Sequence, residues 1–179
     1  MSRMPMLTPQ TASDQAVPTL ENIRRQLGML PNFFAGLAHH GGALNGYLQF
    51  ERQLAADSRL SKAQHELIAL AVANANGCHY CVSGHTLSAR HAGINAEAAH
   101  QAQIGRAEGK EEQAILTFAL AMLEAKGHVS DAVLDEARLA GLSDGMLVEI
   151  TAWVGVNSFS NWINNLIRPV IDFPEVALV

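Results

Sequence analysis

From about Thr19 onward, apolar residues return every three to four positions, and the breaks between runs fall at glycine, proline and small polar residues. That period is the mark of amphipathic helices. Thr19 is positioned to cap a short first helix ending near Gly28, and Pro31 opens a second running to about His39. The doublet Gly41–Gly42 reads as a break, followed by a longer helix over Ala43–Ala56. Ser61 with Gln64 three residues on has the form of a capping box, so the run through Ala75 continues as a helix that Gly77 ends. The next helix begins at Cys78 or His79 and runs to His91, with Gly93 as its stop. Asn95 caps a short helix to about Gly105, and Glu111–Lys126 forms a strongly apolar one. Ser130 caps a helix ending before Gly141, and Ser143 starts the last, which reaches Ile167 ahead of Pro169. No segment alternates around a hairpin dipeptide. The expected fold class is all-α, a single compact helical domain over residues 18–179 behind a strap-like arm at 1–17 that is rich in Pro, Thr, Ser and Gln. One faint echo runs through the pattern. Leu60-Ser61 leads to Glu66 as Leu142-Ser143 leads to Glu149, with offsets that differ by one residue.

Bulk properties narrow the function. A chain of 179 residues, 49% apolar and 6% aromatic, suits one helical domain with a core of its own. The net charge is -5, and no basic run exceeds the pair Arg24–Arg25, so a nucleic-acid partner is not expected. No stretch approaches the roughly 18 apolar residues that span a bilayer, and the N-terminus lacks a signal-like apolar segment. The expectation is a cytoplasmic protein with no membrane partner. In a reducing compartment, two cysteines three apart are more often catalytic or metal-binding than a staple.

The chemistry concentrates between Glu66 and His85. Cys78, Cys81 and His85 have helical offsets of 0, 3 and 7, which place two sulfurs and one imidazole on a single stripe. A C-x-x-C pair at a helix start meets free N–H groups and the positive dipole end, which favour thiolate over a thiol of ordinary pKa about 8.5. His85, one turn after Cys81, is placed to remove or relay a thiol proton. Glu66 shares a face with Ala69, Leu70 and Ala73, where burial would push a carboxylate toward the range of a proton carrier. His79 and Tyr80 flank the sulfurs as secondary candidates.

The pattern Glu66-x11-Cys78-x-x-Cys81-x3-His85 resembles the alkylhydroperoxidase D (AhpD-like) group of the carboxymuconolactone decarboxylase superfamily. The segments Asn161-Trp-Ile-Asn-Asn165 and Ile171-Asp-Phe-Pro174 resemble the tail of its peroxidase-related branch, so the likeness covers about residues 20–175. The resemblance implies an all-α domain, assembly into trimers or hexamers, and reduction of alkyl hydroperoxides. It makes Glu66, Cys78, Cys81 and His85 the active-site set. Cys81 would attack the peroxide, Cys78 would resolve the sulfenic acid to a disulfide, and an external dithiol or disulfide reductase would reduce the pair. No flavin, haem or metal is implied as a cofactor. The chain departs from the best-known members in carrying Tyr80, and not histidine, immediately before the second cysteine.

Other readings stand beside this one. The pair could serve a thiol–disulfide oxidoreductase, or a redox-sensing or structural oligomer, and the fold could support a carboxymuconolactone decarboxylase-like enzyme on another metabolite. Members performing lactone decarboxylation generally lack the cysteine pair. Cys78, Cys81 and His85 with Glu66 or His65 would make a zinc set. Trp153, Phe159 and Trp162 recur at helical spacing and read as core or subunit contact, or as an apolar wall for a hydroperoxide tail. Six further histidines, His39, His40, His65, His91, His100 and His128, share no spacing.

Overall fold

Helix α4 (Lys62–Ala75) is buried without interruption from Leu67 to Ala73, so it cannot lie on a surface. Its small residues let neighbours approach on several sides, and α5 (His79–His91), α6 (Ala96–Gln103), α7 (Lys110–Glu124) and α9 (Asp144–Ile167) all pack against it. The remaining helices are α1 (Val17–Leu27), α2 (Asn32–Leu37), α3 (Gly41–Ala56) and α8 (Asp131–Leu139). The computed structural model describes residues 2–179, and among these there are nine helices and no strand. None of the helices alone is long and apolar enough to cross a membrane.

Local signals account for most boundaries. Ser61 and Gln64 form both halves of a capping box, with the Gln64 N–H donating to Ser61 Oγ (3.2 Å) and the Ser61 N–H to Gln64 Oε1 (2.9 Å). Asn95, Ser130 and Ser143 each accept the backbone N–H three residues on. Thr19 does not cap α1. The helix starts earlier, at Val17, because Pro18 fits the first turn, where its missing N–H is no loss; the Thr19 hydroxyl donates instead to Asn45 Oδ1 (2.6 Å). Gly41–Gly42 is not a break either. The His40 ring caps α3 by accepting the Ala43 N–H (3.0 Å), and Gly41 is helical. A Cβ on Gly41 would lie 3.0 Å from Gln15 Cβ and 3.2 Å from the Ala16 nitrogen, so close approach of the preceding segment accounts for the glycine.

Three apolar clusters include residues of α4. One sets Leu67, Leu70 and Ala71 against Ala89, Ala99, Ala102 and Leu116. A second joins Ile68 and Val72 to Ile115, Phe118, Ile150 and Trp153 on α7 and α9. The third gathers Leu20, Phe33, Leu37, Leu44 and Val82 around both cysteines. Chain ends close over this third cluster. The Arg3 N–H donates to the Ile167 carbonyl (2.8 Å) and the Leu7 N–H to that of Ala35 (3.1 Å). After α9 the tail runs back along α5, where the Val176 N–H donates to Ser83 Oγ (3.0 Å), and reaches the end of α4, where the Val179 N–H donates to Asn74 Oδ1 (3.0 Å).

The echo between Ser61–Glu66 and Ser143–Glu149 holds for the caps but not for the acids. Glu149 accepts from the Ser58 hydroxyl and the Arg59 N–H (2.9 Å), tying the α3–α4 turn to α9. Burial alone would raise this carboxyl, but the Ser58 hydroxyl and the backbone N–H groups of Arg59 and Leu60 outweigh it and hold it below the ordinary carboxylate value. A depressed carboxylate contributes stability above its unfolded pKa and loses it as pH falls through its folded value. Glu149→Gln is therefore expected to destabilise by about 1–3 kcal/mol at neutral pH. In urea titrations the gap from wild type should close in acid.

Candidate active site

Cys78 is the N-cap of α5, the position ordinarily filled by Ser, Asn or Asp, and its sulfur accepts the Cys81 N–H (3.2 Å). Cys81 lies in the first helical turn, and the two sulfurs are joined in a disulfide with Cα atoms 5.2 Å apart. Both residues are buried. In the dithiol form, the same amide and the helix dipole would favour thiolate.

Sequence reasoning missed a third group at the sulfurs. Asn164, on α9 and itself buried, donates its Nδ2–H to Cys81 Sγ (3.3 Å). Its neighbours explain why the asparagines of this segment cluster. Asn161 Oδ1 accepts from Asn76 Nδ2 (3.0 Å), and Asn165 Nδ2 donates to the Asn76 carbonyl (2.8 Å), so α9 grips the turn that delivers the cysteines. The run Asn161–Asn165 was visible as a resemblance, but nothing in the sequence indicated which asparagine meets sulfur.

His85 and Glu66, grouped in one set by the resemblance, come together. His85 Nδ1 lies 2.8 Å from Glu66 Oε2, joining α5 to α4. Burial would lower the imidazole pKa, but the hydrogen bond and charge of Glu66, with a smaller contribution from Glu51, outweigh it and raise it above the ordinary value. Glu51, on α3, is a second acid that the sequence did not single out. Burial raises its carboxyl, His85 draws it back down, and Glu66 adds to the rise.

These groups border two cavities. A chamber of about 420 Å³ reaches Cys81 and His85 between the rings of Phe33, Phe34, Tyr80 and Phe173. A more polar cleft of about 750 Å³ reaches Glu66 and His65 from the other side. Tyr47, Glu51, His85, Ser88 and His91 line both, so the imidazole stands between them. Cys78 does not line the chamber; it borders a smaller pocket with His79, Asn165 and Arg168.

The secondary candidates separate here. His79 lies outside the chamber, with Nε2 3.5 Å from Glu175 Oε1. Tyr80 lines it with its ring while its hydroxyl is committed elsewhere. The hydroxyl donates to Asp172 Oδ1 (2.7 Å) and accepts the Phe33 N–H (3.1 Å), and Asp172 Oδ2 accepts the Asn32 N–H (2.7 Å). Burial and the Asp172 hydrogen bond raise the phenol far above its ordinary pKa, so it stays protonated. Phe173 meets the Tyr80 ring edge-on (centroids 5.4 Å) and lies so close to α5 that a Cβ on Gly84 would fall 3.2 Å from it.

Two of the alternative readings are not supported by the geometry. The apolar wall is not built from Trp153, Phe159 and Trp162. Trp153 packs in the core against the His65 ring (centroids 4.2 Å), Phe159 stacks on Tyr47, and Trp162 is exposed. The zinc set is not assembled. His65 faces Ser58 (2.8 Å) and Trp153, and among the described residues no group of three His, Cys, Asp or Glu side chains is arranged to hold a metal ion.

An all-helical domain presenting a cysteine pair at the start of a helix, beside a His–Glu pair, defines the class. Residues 42–125 match the carboxymuconolactone decarboxylase family. The chain is similar to the solved alkylhydroperoxidase AhpD core of an uncharacterized peroxidase-related protein from Ralstonia eutropha JMP134, with 26% identity and a TM-score of 0.86 over 96% of this chain and 92% of that one. A peroxidase-related protein from Silicibacter sp. TM1040 (23% identity, TM-score 0.79, 94% and 89% covered) and the apo debrominase Bmp8 (22%, 0.72, 89% and 87%) share the fold. No curated protein sequence matches. Residues 42–125 thus carry the pattern of the carboxymuconolactone decarboxylase family, and the fold as a whole is similar to that of AhpD-like peroxidase-related proteins. The matched segment holds Glu51, Glu66, Cys78, Cys81 and His85; Asn164 and Asp172 lie beyond it.

Tyr80→Phe removes the hydroxyl that joins α2, α5 and the tail. It is expected to destabilise by about 1–3 kcal/mol, because Asp172 and the Phe33 N–H lose a buried partner. Urea denaturation measures that loss, and faster proteolysis of the tail should accompany it.

Proposed function

We propose that the chain is a thiol-dependent peroxidase that reduces organic hydroperoxides through a Cys78–Cys81 dithiol/disulfide cycle. The observation that carries this reading is that Cys81 alone of the two sulfurs opens on the aromatic chamber, where His85 also lies with its Nδ1 held by Glu66. Cys81 thiolate attacks the terminal peroxide oxygen. An S–O bond forms, the O–O bond breaks, and the departing alkoxide takes a proton from the His85 imidazolium. Cys78 thiolate then attacks the Cys81 sulfenic sulfur, forming the disulfide, and the hydroxide released leaves as water after taking a proton from the relay. An external dithiol returns both electrons to the sulfurs. Asn164 steadies the Cys81 sulfur throughout, while Tyr80, whose proton is committed to Asp172, shapes the chamber and relays no proton to the substrate.

Burial of both sulfurs weighs against a folded protein disulfide as substrate. Exposed Phe50, Val148, Trp162, Leu166 and Val170 support self-association into a trimer or hexamer, which light scattering would measure.

The cycle is tested by titrating thiols after one equivalent of cumene hydroperoxide. Two thiols should be lost with a mass change of only two hydrogens. Cys81→Ser should abolish the reaction, and Cys78→Ser should stop at the sulfenic acid. Glu66 holds the raised His85 pKa, so in Glu66→Gln the alkaline limb of the kcat/KM profile should move to lower pH, with a fall of about ten- to a hundredfold. An unchanged limb and thiol pKa would remove Glu66 from the relay.

A further inference from the structure

The chamber over Cys81 is unevenly charged. Its titratable lining is Tyr47, Glu51, Tyr80, Cys81, His85 and the exposed His91, and neither Lys nor Arg lines it. The imidazolium of His85 is matched by Glu66 at 2.8 Å, so that pair brings no net charge. Glu51, which has no ion-pair partner of its own within 4 Å among the described residues, remains as the further acid, reaching the cavity from α3. The rest of the wall is largely aromatic and aliphatic, with Phe33, Phe34, Leu87 and Phe173 prominent. A volume of about 420 Å³ falls at the lower end of the roughly 300–1,000 Å³ typical of small-ligand sites.

We propose that this chamber selects by charge, taking compact uncharged hydroperoxides and rejecting those that carry a carboxylate on the part that enters it, with Glu51 as the discriminating residue. The inference rests on the peroxidase reading and specifies its substrate class. A substrate carboxylate drawn in beside Cys81 would leave water without meeting a free cation. It would also face Glu51 across a partly desolvated cavity, where repulsion is felt more strongly than in bulk water. Burial and Glu66 already raise the Glu51 carboxyl, so a further anion would enter only against its charge or together with a proton. An uncharged ring meets neither obstacle and covers the apolar wall.

Cumene hydroperoxide and its ring para-carboxylate form a matched pair with the same tertiary hydroperoxide group. Stopped-flow thiol loss with reduced protein at neutral pH should favour the uncharged peroxide by about tenfold or more. The preference should persist at about 1 M salt, where the Debye length is about 3 Å and the general repulsion of an acidic protein is screened. In Glu51→Gln it should fall to within about threefold. The ratio is taken on one protein at a time, so altered sulfur reactivity cancels. Leu87→Lys, which adds a cation to the wall at a different position, should shift the ratio the same way and serves if Glu51→Gln folds poorly. Equal wild-type rates, or a preference lost in salt, would overturn the selection while leaving the peroxidase reading intact. An undiminished preference in Glu51→Gln would overturn the role of Glu51. Inertness toward both peroxides would overturn the peroxidase reading and this inference with it.

Discussion

Uninterrupted burial of α4 from Leu67 to Ala73 requires neighbours on several sides, and the positions of those neighbours decide where reactive groups can gather. With α6, α7 and α9 occupying much of its surface, α5 must turn back directly from the end of α4. The short connection through Gly77 carries Cys78 to the start of α5 and sets His85 of α5 beside Glu66 of α4. The His–Glu pair is therefore a consequence of helix packing between chain neighbours, and it needs no long loop to hold it. Alanines at 69, 71 and 73 make the approach possible, because larger side chains would push the helices apart.

Around that centre the polar groups are divided between anchoring and chemistry. Asn76, Asn161 and Asn165 fasten the α4–α5 turn to α9, and Tyr80 with Asp172 fastens the tail and α2 to α5. These groups are largely saturated by protein partners, which fixes their geometry. His85 and Glu51 are different, since each borders open volume on two sides. Rigid contacts thus surround a small set of groups left open to the two cavities, an arrangement in which fixed neighbours hold the geometry of the exposed groups.

The sequence made the helices legible because their caps are local. Ser61 with Gln64, Asn95, Ser130 and Ser143 each act within one turn, so three or four residues settle the outcome. Glu66, Cys78, Cys81 and His85 were legible for a related reason: all fall within one helix–turn–helix, where helical register decides who meets whom. The failures have a common cause as well. Thr19 was misread because Pro18 changed the start of the helix, and Gly41 because its neighbour is the preceding arm. Glu51, Asn164 and Asp172 reach the site from distant elements, and no periodicity in their own segments announces that arrival. The aromatic wall shows the same limit, since spacing identified rings on α9 but could not say that Phe33, Phe34 and Phe173 would close the chamber.

Residues 172–179 lie along α5 and the end of α4 beside the cysteine pair, through Asp172 on Tyr80, Phe173 against Gly84, Val176 on Ser83 and Val179 on Asn74. During synthesis the two cysteines leave the ribosome about ninety residues ahead of that segment. For that interval the thiols have neither the Phe173 ring nor the asparagine contact from α9. A nascent chain therefore carries its most oxidisable groups unshielded, and their protection depends on the reducing capacity of the surroundings until the last segment has docked.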